Sequence, residues 1–179
     1  MFLEPVVFSF GSADPGTVRA NREVALALAR RHGSEVGYRV VADTELDATT
    51  IGKNAIVAVG TPRDHSLLAR VSSRLPIRAD AGAVVVGERR FGAGGTGAIF
   101  IHPNPEAPER YLVVVTGSDA AGIWRALSLP PLLPDFLVYD AELGPAAAEI
   151  LLGANAKTLA QGFFDLDWKL PAQIDDTPG

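Results

Sequence analysis

The stretch IVAVGTPRD, residues 56–64, decides the fold, and two further stretches repeat its pattern: VVFSFGSAD (6–14) and VVVTGSD (113–119). Each stretch runs an apolar segment into a glycine, a hydroxyl residue and then an aspartate. An apolar segment without polar alternation is typical of a strand that is buried on both faces. The glycine permits a tight turn, and the hydroxyl or carboxylate caps the first N–H groups of a helix. The pattern therefore predicts parallel strands that are each followed by a helix.

The rest of the chain continues this alternation. Apolar periodicity predicts helices over residues 17–32, 64–74, 120–129 and 145–152, and strands over 38–41, 55–59, 98–101, 111–115 and 136–139. We expect a small hairpin over residues 77–91 and an edge strand over residues 162–170. The prolines from Pro103 onward are expected to take the chain out of the sheet. We expect an α/β fold: a three-layer sandwich with a mostly parallel central sheet, flavodoxin-like or Rossmann-like, and a small β-hairpin insertion.

Composition bounds the size and the partners. A chain of 179 residues and 18.8 kDa predicts a single α/β domain over 1–170 and a mobile C-terminal tail over 171–179. A net charge of −5 argues against a nucleic-acid surface, which needs a concentrated positive field. The chain has no cysteine, and its three histidines are scattered singly, so we expect no metal site and no cofactor.

No targeting or membrane segment is expected from the sequence. The N-terminal segment lacks the basic start of a signal peptide, and no apolar stretch reaches the length that spans a bilayer. We therefore expect no membrane insertion, and the cellular compartment stays open.

Polar residues after the predicted strands are the candidate ligand-binding site. The carboxyl ends of neighbouring parallel strands meet at one edge of a sheet, where open α/β folds bind ligands. Helix capping explains the same residue types at these positions equally well, because hydroxyls and carboxylates occupy the free N–H groups of a helix start. The candidate residues are Ser12, Asp14, Thr61, Arg63, His65, Ser118 and Asp119.

A hydrolase site is the catalytic interpretation of the same turns. His65 could serve Ser118, with Asp64 or Asp14 as the orienting acid. Neither Ser12 nor Ser118 lies in the Gly-x-Ser-x-Gly elbow that exposes a nucleophile, and His65 near a helix start is expected to face solvent. The sequence therefore predicts no catalytic residue.

One stretch matches the dinucleotide-binding fingerprint in letters. Gly92, Gly94 and Gly97 have the G-x-G-x-x-G spacing, but they are expected to precede a strand. The fingerprint binds a pyrophosphate only where it opens a helix. We therefore interpret this stretch as a flexible glycine loop.

The predicted edge strand near the C-terminus carries acidic and aromatic side chains. Asp165 and Asp167 would share one face of that strand, where charges commonly block strand pairing. The aromatic residues Phe163, Phe164 and Trp168 are the candidate interface residues. As an interface, they predict that Phe164→Ala and Trp168→Ala weaken association more than folding.

Several segments together resemble one known kind of domain. They are residues 54–62, 67–70, 75–77, 103–111, 113–126, 133–136 and 162–168. These segments resemble the C-terminal α/β accessory domain of bacterial prolyl-oligopeptidase-type α/β-hydrolase peptidases, and related pieces look similar to segments of S-layer proteins and of the cellulose-synthase regulatory subunit. The resemblance implies a companion domain, because the catalytic serine, acid and histidine of those peptidases belong to a separate hydrolase domain.

These observations predict a noncatalytic accessory or interaction domain that is associated with a hydrolase, a peptidase or another extracytoplasmic protein. Its expected partner is a protein, either another domain or subunit or a second copy in a homo-oligomer. The alternative is a small-ligand-binding protein or a hydrolase that uses a pocket at the carboxyl edge of the sheet.

Overall fold

The computed structural model describes residues 5–32, 37–130, 132–140, 158–172 and 174. The described residues form a seven-stranded mixed sheet, a separate three-stranded sheet and four α-helices. The elements are, in chain order, β1 Val6–Phe10, α1 Val18–His32, β2 Arg39–Ala42, α2 Ala48–Lys53, β3 Ala55–Val59, α3 Ser66–Val71, β4 Ile77–Asp80, β5 Ala83–Val86, β6 Arg89–Phe91, β7 Gly97–Asn104, β8 Ala107–Gly117, α4 Ala120–Arg125, β9 Phe136–Tyr139 and β10 Thr158–Gly162. The order in the large sheet is β10-β9-β7-β8-β3-β1-β2.

Four adjacent strands, β2-β1-β3-β8, form a parallel half of the sheet. Every residue of β3 is buried, as the uninterrupted apolar segment predicted. The register places Phe10 opposite Val59 and Val59 opposite Val115, so β1 and β3 end at the same level, and β8 continues for two more residues to Gly117. The predicted parallel arrangement is confirmed for this half, and the three glycine turns share one edge.

The other half of the large sheet is antiparallel, so the expected mostly parallel sheet is wrong there. β7 pairs antiparallel with β8 and with β9, and β10 pairs antiparallel with β9. A tight turn joins β7 to β8, and the Glu106 N–H donates to Asn104 Oδ1 at 3.0 Å within it. Two strands that are joined by so short a turn can only run antiparallel.

The prolines do not take the chain out of the sheet, contrary to expectation. Pro103 lies within β7 and pairs in register with Tyr111 of β8. The pairing of β7 with β9 covers only Gly97 to Phe100, so Pro103 has a neighbouring strand on one side only. A proline is tolerated at such an edge because no ladder hydrogen bond is lost.

Two apolar clusters fill the two faces of the large sheet. α1 and α4 pack on one face, and α2, α3 and the small sheet pack on the other. The helices predicted over 64–74 and 120–129 are α3 and α4, and both are shorter than expected, because single 3₁₀ turns, Ser72–Arg74 and Ala126–Ser128, replace their last turns. The helix predicted over 145–152 lies outside the described residues. No described helix is both long and apolar enough to cross a membrane.

The predicted hairpin insertion is a three-stranded antiparallel sheet, β4-β5-β6. β5 is buried along its whole length and packs in the same cluster as α3. The expected hairpin is confirmed as β4 and β5, and the third strand was not foreseen.

The edge strand predicted over 162–170 is wrong, because the edge strand is β10 and it ends at Gly162. After Gly162 the chain leaves the sheet, and the Phe164 N–H donates to Asp135 Oδ2 at 3.1 Å instead of pairing with β9. Ile174, in the predicted tail, packs against the core, and residues 173 and 175–179 lie outside the described residues.

Candidate functional site

The three glycine turns meet at the carboxyl edge of the parallel half of the sheet. Gly11 donates its N–H to Val59 O, and Gly60 donates its N–H to Val115 O, each at 2.9 Å. These bonds continue the ladder beyond the strands and hold the turns side by side. The convergence predicted from the sequence therefore exists in the structure.

Asp64 is the buried junction of two of these turns. Its carboxylate accepts the Thr61 N–H at 2.6 Å, the Thr61 hydroxyl at 3.2 Å, the Thr17 hydroxyl at 2.8 Å and the Asn21 amide at 2.9 Å. Gly60 lies against it with φ +143°, and a Cβ at Gly60 would collide with the carboxylate. A buried charge with several charge-assisted hydrogen bonds stabilises the turns that it joins.

Asp43, directly after β2, joins a third loop to the same edge. Its Oδ1 accepts from the N–H and the hydroxyl of Ser12 at 2.9 and 2.6 Å, and its Oδ2 accepts from the Ser66 N–H at 2.7 Å. Burial by itself raises the pKa of Asp43, but the hydrogen bonds from Ser12 and Ser66 outweigh it and hold the pKa below its ordinary value. Ser12 therefore serves the Asp43 junction and does not line the cleft described below.

His65 is buried, and the expectation of a solvent-facing side chain is wrong. The side chain is 1% exposed, and neither ring nitrogen has a hydrogen-bond partner in the described part of the chain. Burial lowers its pKa to about 4, against the opposing influence of the Asp43 and Asp64 carboxylates. The histidine is therefore neutral at pH 7. It lies directly before α3, whose Leu67 and Leu68 are buried in the core.

Ser118 and Asp119 hold the glycine loop in place. Asp119 Oδ1 caps α4 by accepting the Gly122 N–H, and Oδ2 accepts the Gly95 N–H, both at 2.9 Å. The Ser118 hydroxyl lies 3.2 Å from the carbonyl oxygen of Ala93, to which it donates. The glycine loop precedes β7 and contains no helix start, so its letters do not form a dinucleotide site.

The residues of the catalytic interpretation do not form a nucleophile–base pair. The Ser118 hydroxyl donates to backbone carbonyl oxygens, and the His65 ring contacts no hydroxyl through either nitrogen. A serine hydrolase requires the base within hydrogen-bonding distance of the nucleophile. Among the described residues, no group of three potential metal ligands is present either.

Five of the seven candidate ligand-binding residues line one open cleft of about 230 Å³. The cleft lies outside the ends of β1, β3 and β8, and the turn between β4 and β5 forms its opposite wall. Ser12 and His65 are not part of its lining. The five candidates that line it are Asp14, Thr61, Arg63, Ser118 and Asp119.

The three candidate interface residues differ in exposure. Phe164 is 9% exposed and packs its ring on Phe136, with 5.4 Å between ring centroids. Its ring is therefore a core side chain, and the expectation that Phe164→Ala spares folding is withdrawn. Phe163 is 67% exposed, and Trp168 is half-buried, with its ring 5.6 Å from that of Tyr111.

Asp165 and Asp167 lie in a turn and do not share a strand face. Asp165 Oδ1 accepts the N–H groups of Asp167 and Lys169 at 2.9 and 2.8 Å. Trp168 donates its N–H to the carbonyl oxygen of Asp165 and has φ +60°, which bulky residues rarely adopt. The Asp165 side chain therefore holds this turn, and the expectation that the two carboxylates share a strand face is wrong.

Sequence reasoning missed Asp43, Asn21 and the wall formed by residues 80–82. Asp43 had a detectable signal, because it follows a short strand as Asp64 and Asp119 follow theirs, but without a glycine. The sequence carried no such signal for Asn21 or for the wall, since each contacts the site through the packing of a remote element.

No protein-family model matches this chain. A segment of 83 residues, 44% of this chain, is 39% identical to part of a protein from the fungus Arthroderma benhamiae that is described as an uncharacterized secreted protein. The segment amounts to 8% of the length of that protein. The chain is thus similar to a small part of a much longer secreted polypeptide.

Proposed function

We propose that this chain is a noncatalytic accessory module that packs against a larger extracytoplasmic protein. The observation that carries the proposal is an exposed apolar surface formed by Tyr111, Leu166 and Trp168, which we call the Trp168 surface. Tyr111 is 40% exposed, and Leu166 is fully exposed at the tip of the Asp165 turn. Apolar groups that lie together on a surface mark sites of protein–protein contact.

The turn that carries this surface is well ordered by hydrogen bonds. Asp165 and Lys169 are joined by a backbone bond of 3.0 Å and by the side-chain bond from Lys169 N–H to Asp165 Oδ1. The Trp168 ring is held between His102 and Tyr111, with centroid distances of 5.9 and 5.6 Å. A surface that is already ordered loses little conformational entropy on binding, which favours an interface role.

The fungal relative supports the extracytoplasmic location in this proposal. Its matching segment is a small part of a long secreted protein, as expected for a module that works beside other domains. The resemblance described from the sequence makes a hydrolase domain of the prolyl-oligopeptidase type the first partner to test.

We also infer that the parallel half of the sheet is flavodoxin-like. Its order, β2-β1-β3-β8, is the 2-1-3-4 order of that fold with β8 as the fourth strand, and it differs from the Rossmann order 3-2-1-4. The antiparallel half then extends the sheet on the side of β8.

Site-directed photocrosslinking in the native host tests the accessory role. A photoreactive amino acid at position 166 is compared with one at position 132, because Leu132 is also exposed, at 68%, and the adjacent Leu133 packs in the cluster on the opposite face from Trp168. We expect position 166, and not position 132, to crosslink to one extracytoplasmic protein or to a further domain of the same polypeptide. Crosslinks to a second copy alone would overturn the proposal. An absence of crosslinks, together with a native mass of 18.8 kDa, would also overturn it.

A further inference from the structure

The cleft at the carboxyl edge lies where the strand order reverses. From β1 the chain enters α1 on one face of the sheet, and from β3 it enters α3 on the other face. The two connections therefore diverge between β1 and β3, which are adjacent. In open α/β sheets this divergence leaves a crevice that receives ligands.

The small sheet closes one side of this crevice. Its turn between β4 and β5, residues 80–82, lines the cleft, and Arg90 donates to Asp80 Oδ2 at 3.2 Å and to the carbonyl oxygens of Asp80 and Ala81 at 2.9 and 3.2 Å. This clamp holds the wall in place. The cleft volume of about 230 Å³ lies below the range of pockets for drug-sized ligands, so its occupant is small.

Most carboxylates that line the cleft are already used. Asp64 and Asp119 each accept hydrogen bonds on both oxygens, and Asp80 is paired with Arg90. Asp14 differs, because its Oδ1 accepts the Gly16 N–H at 2.8 Å, while its Oδ2 accepts no bond in the described part of the chain. Asp80 also keeps a free oxygen, Oδ1, but it is paired with Arg90, so Asp14 is the cleft carboxylate that has a free oxygen and no cationic partner among the described residues.

Among the described residues that line the cleft, Arg63 is the only one with a positive charge. Its side chain is exposed, and no carboxylate of the described residues lies within 4.0 Å of its guanidinium group. Arg63 and Asp14 thus face the same cleft with opposite charges and do not neutralise each other. A guanidinium group of this kind binds a carboxylate through paired N–H donors.

We propose that this cleft binds a small zwitterion, an α-amino acid with an apolar side chain. Its carboxylate pairs with Arg63, and its ammonium group pairs with Asp14. Its side chain lies against Pro62, Ala79 and Ile123, which supply the apolar part of the lining. A phosphate dianion fits poorly, because the surrounding carboxylates repel it and the N–H groups of Gly95 and Gly122 are already taken by Asp119.

Amide chemical shifts of the ¹⁵N-labelled chain test the proposal with four probes. Leucine carries both charges, isovalerate carries the carboxylate alone, isoamylamine carries the ammonium alone, and inorganic phosphate is the competing anion. We expect leucine to shift the amides of Thr61, Arg63, Asp64 and residues 117–119 saturably. Isovalerate and isoamylamine should bind about tenfold more weakly. Arg63→Gln and Asp14→Asn should each weaken leucine binding about tenfold, whereas Arg30→Gln, an exposed arginine on α1, should leave it unchanged.

Two results would overturn this inference. One is an absence of shifts at these turns with leucine at tens of millimolar. The other is phosphate binding that is tighter than leucine binding and is lost in Arg63→Gln, which would make the cleft an anion site. Neither result affects the accessory role, because the Trp168 surface is made of different residues.

Discussion

The parallel and antiparallel halves of the large sheet are held together by different forces. In the parallel half, the buried carboxylates of Asp43 and Asp64 tie the turns after the strands. In the antiparallel half, the segment after β10 also packs by rings, with Phe164 against Phe136 and Trp168, while Asp135 and Asp165 hold its backbone. The difference teaches that a carboxylate placed directly after a strand can be recognised in the sequence even though its partners lie 23 to 47 residues away, whereas no local pattern marks which rings will pack.

Removing Asp64 from the parallel half should lower the stability of the chain more than any other change predicted below. Asp64→Ala removes the acceptor of the part-buried Thr61 N–H and one of the two acceptors of the buried Asn21 amide nitrogen. We expect the free energy of unfolding to fall by about 4 kcal/mol, measured by urea denaturation.

Asp47→Ala is the matched control for this change. Asp47 caps α2 by accepting the Thr50 N–H at 2.6 Å, but it is exposed. Losing this exposed cap should lower the free energy of unfolding far less than losing Asp64. Equal losses in the two variants would mean that Asp64 acts as a simple cap and does not join the turns.

Acid should destabilise the chain through His65, which lies beside both polar junctions. Its pKa is 6.5 in the unfolded chain and about 4 in the folded one, so between these values only the unfolded chain takes up the proton. The free energy of unfolding should therefore fall as the pH drops from 6.5 to 4, by about 3 kcal/mol in total.

His65→Leu removes this titration and should flatten the pH dependence of urea denaturation over that range. Asp43 does not confound the measurement, because its pKa is held below its ordinary value of 3.8 and its contribution is lost only at lower pH. An unchanged slope in the variant would locate the acid sensitivity in other groups.

Two neighbouring phenylalanines test the ring packing of the antiparallel half. Phe164→Ala should lower the free energy of unfolding by about 2 to 3 kcal/mol, at or just below the range for a buried phenylalanine, because the rings of His102 and Trp168 can close part of the gap. Phe163→Ala, at a ring that is 67% exposed, should change it by less than about 0.5 kcal/mol. If thermal unfolding showed similar losses of stability in the two variants, the placement of the Phe164 ring in the core and of the Phe163 ring at the surface would be contradicted.

Much of the parallel half could be predicted from the sequence, because its signals are local. β3 has the predicted bounds, and α1 begins within one residue of its predicted start. The convergence of Thr61 and Ser118 followed from the rule that parallel strands end at one edge. The burial of His65 did not follow, because the position of α3 depends on the small sheet and on the apolar cluster beneath it.

The C-terminal segment was the least predictable part. Residues 163–170 alternate as an edge strand would, but Asp135 and Asp165 draw their backbone into a separate turn. A strand pattern states only which side chains are apolar, and the pairing partner decides whether a strand forms.

The sequence by itself determined the parallel strands, the turns that follow them and the edge at which they meet, because glycine, hydroxyl and carboxylate groups act within a few residues of each strand end. The tertiary structure alone decided which strands β9 and β10 pair with, the burial of His65 and the wall of the cleft. Each of these depends on elements that are remote in the chain, and no local pattern encodes which of several apolar surfaces they will cover.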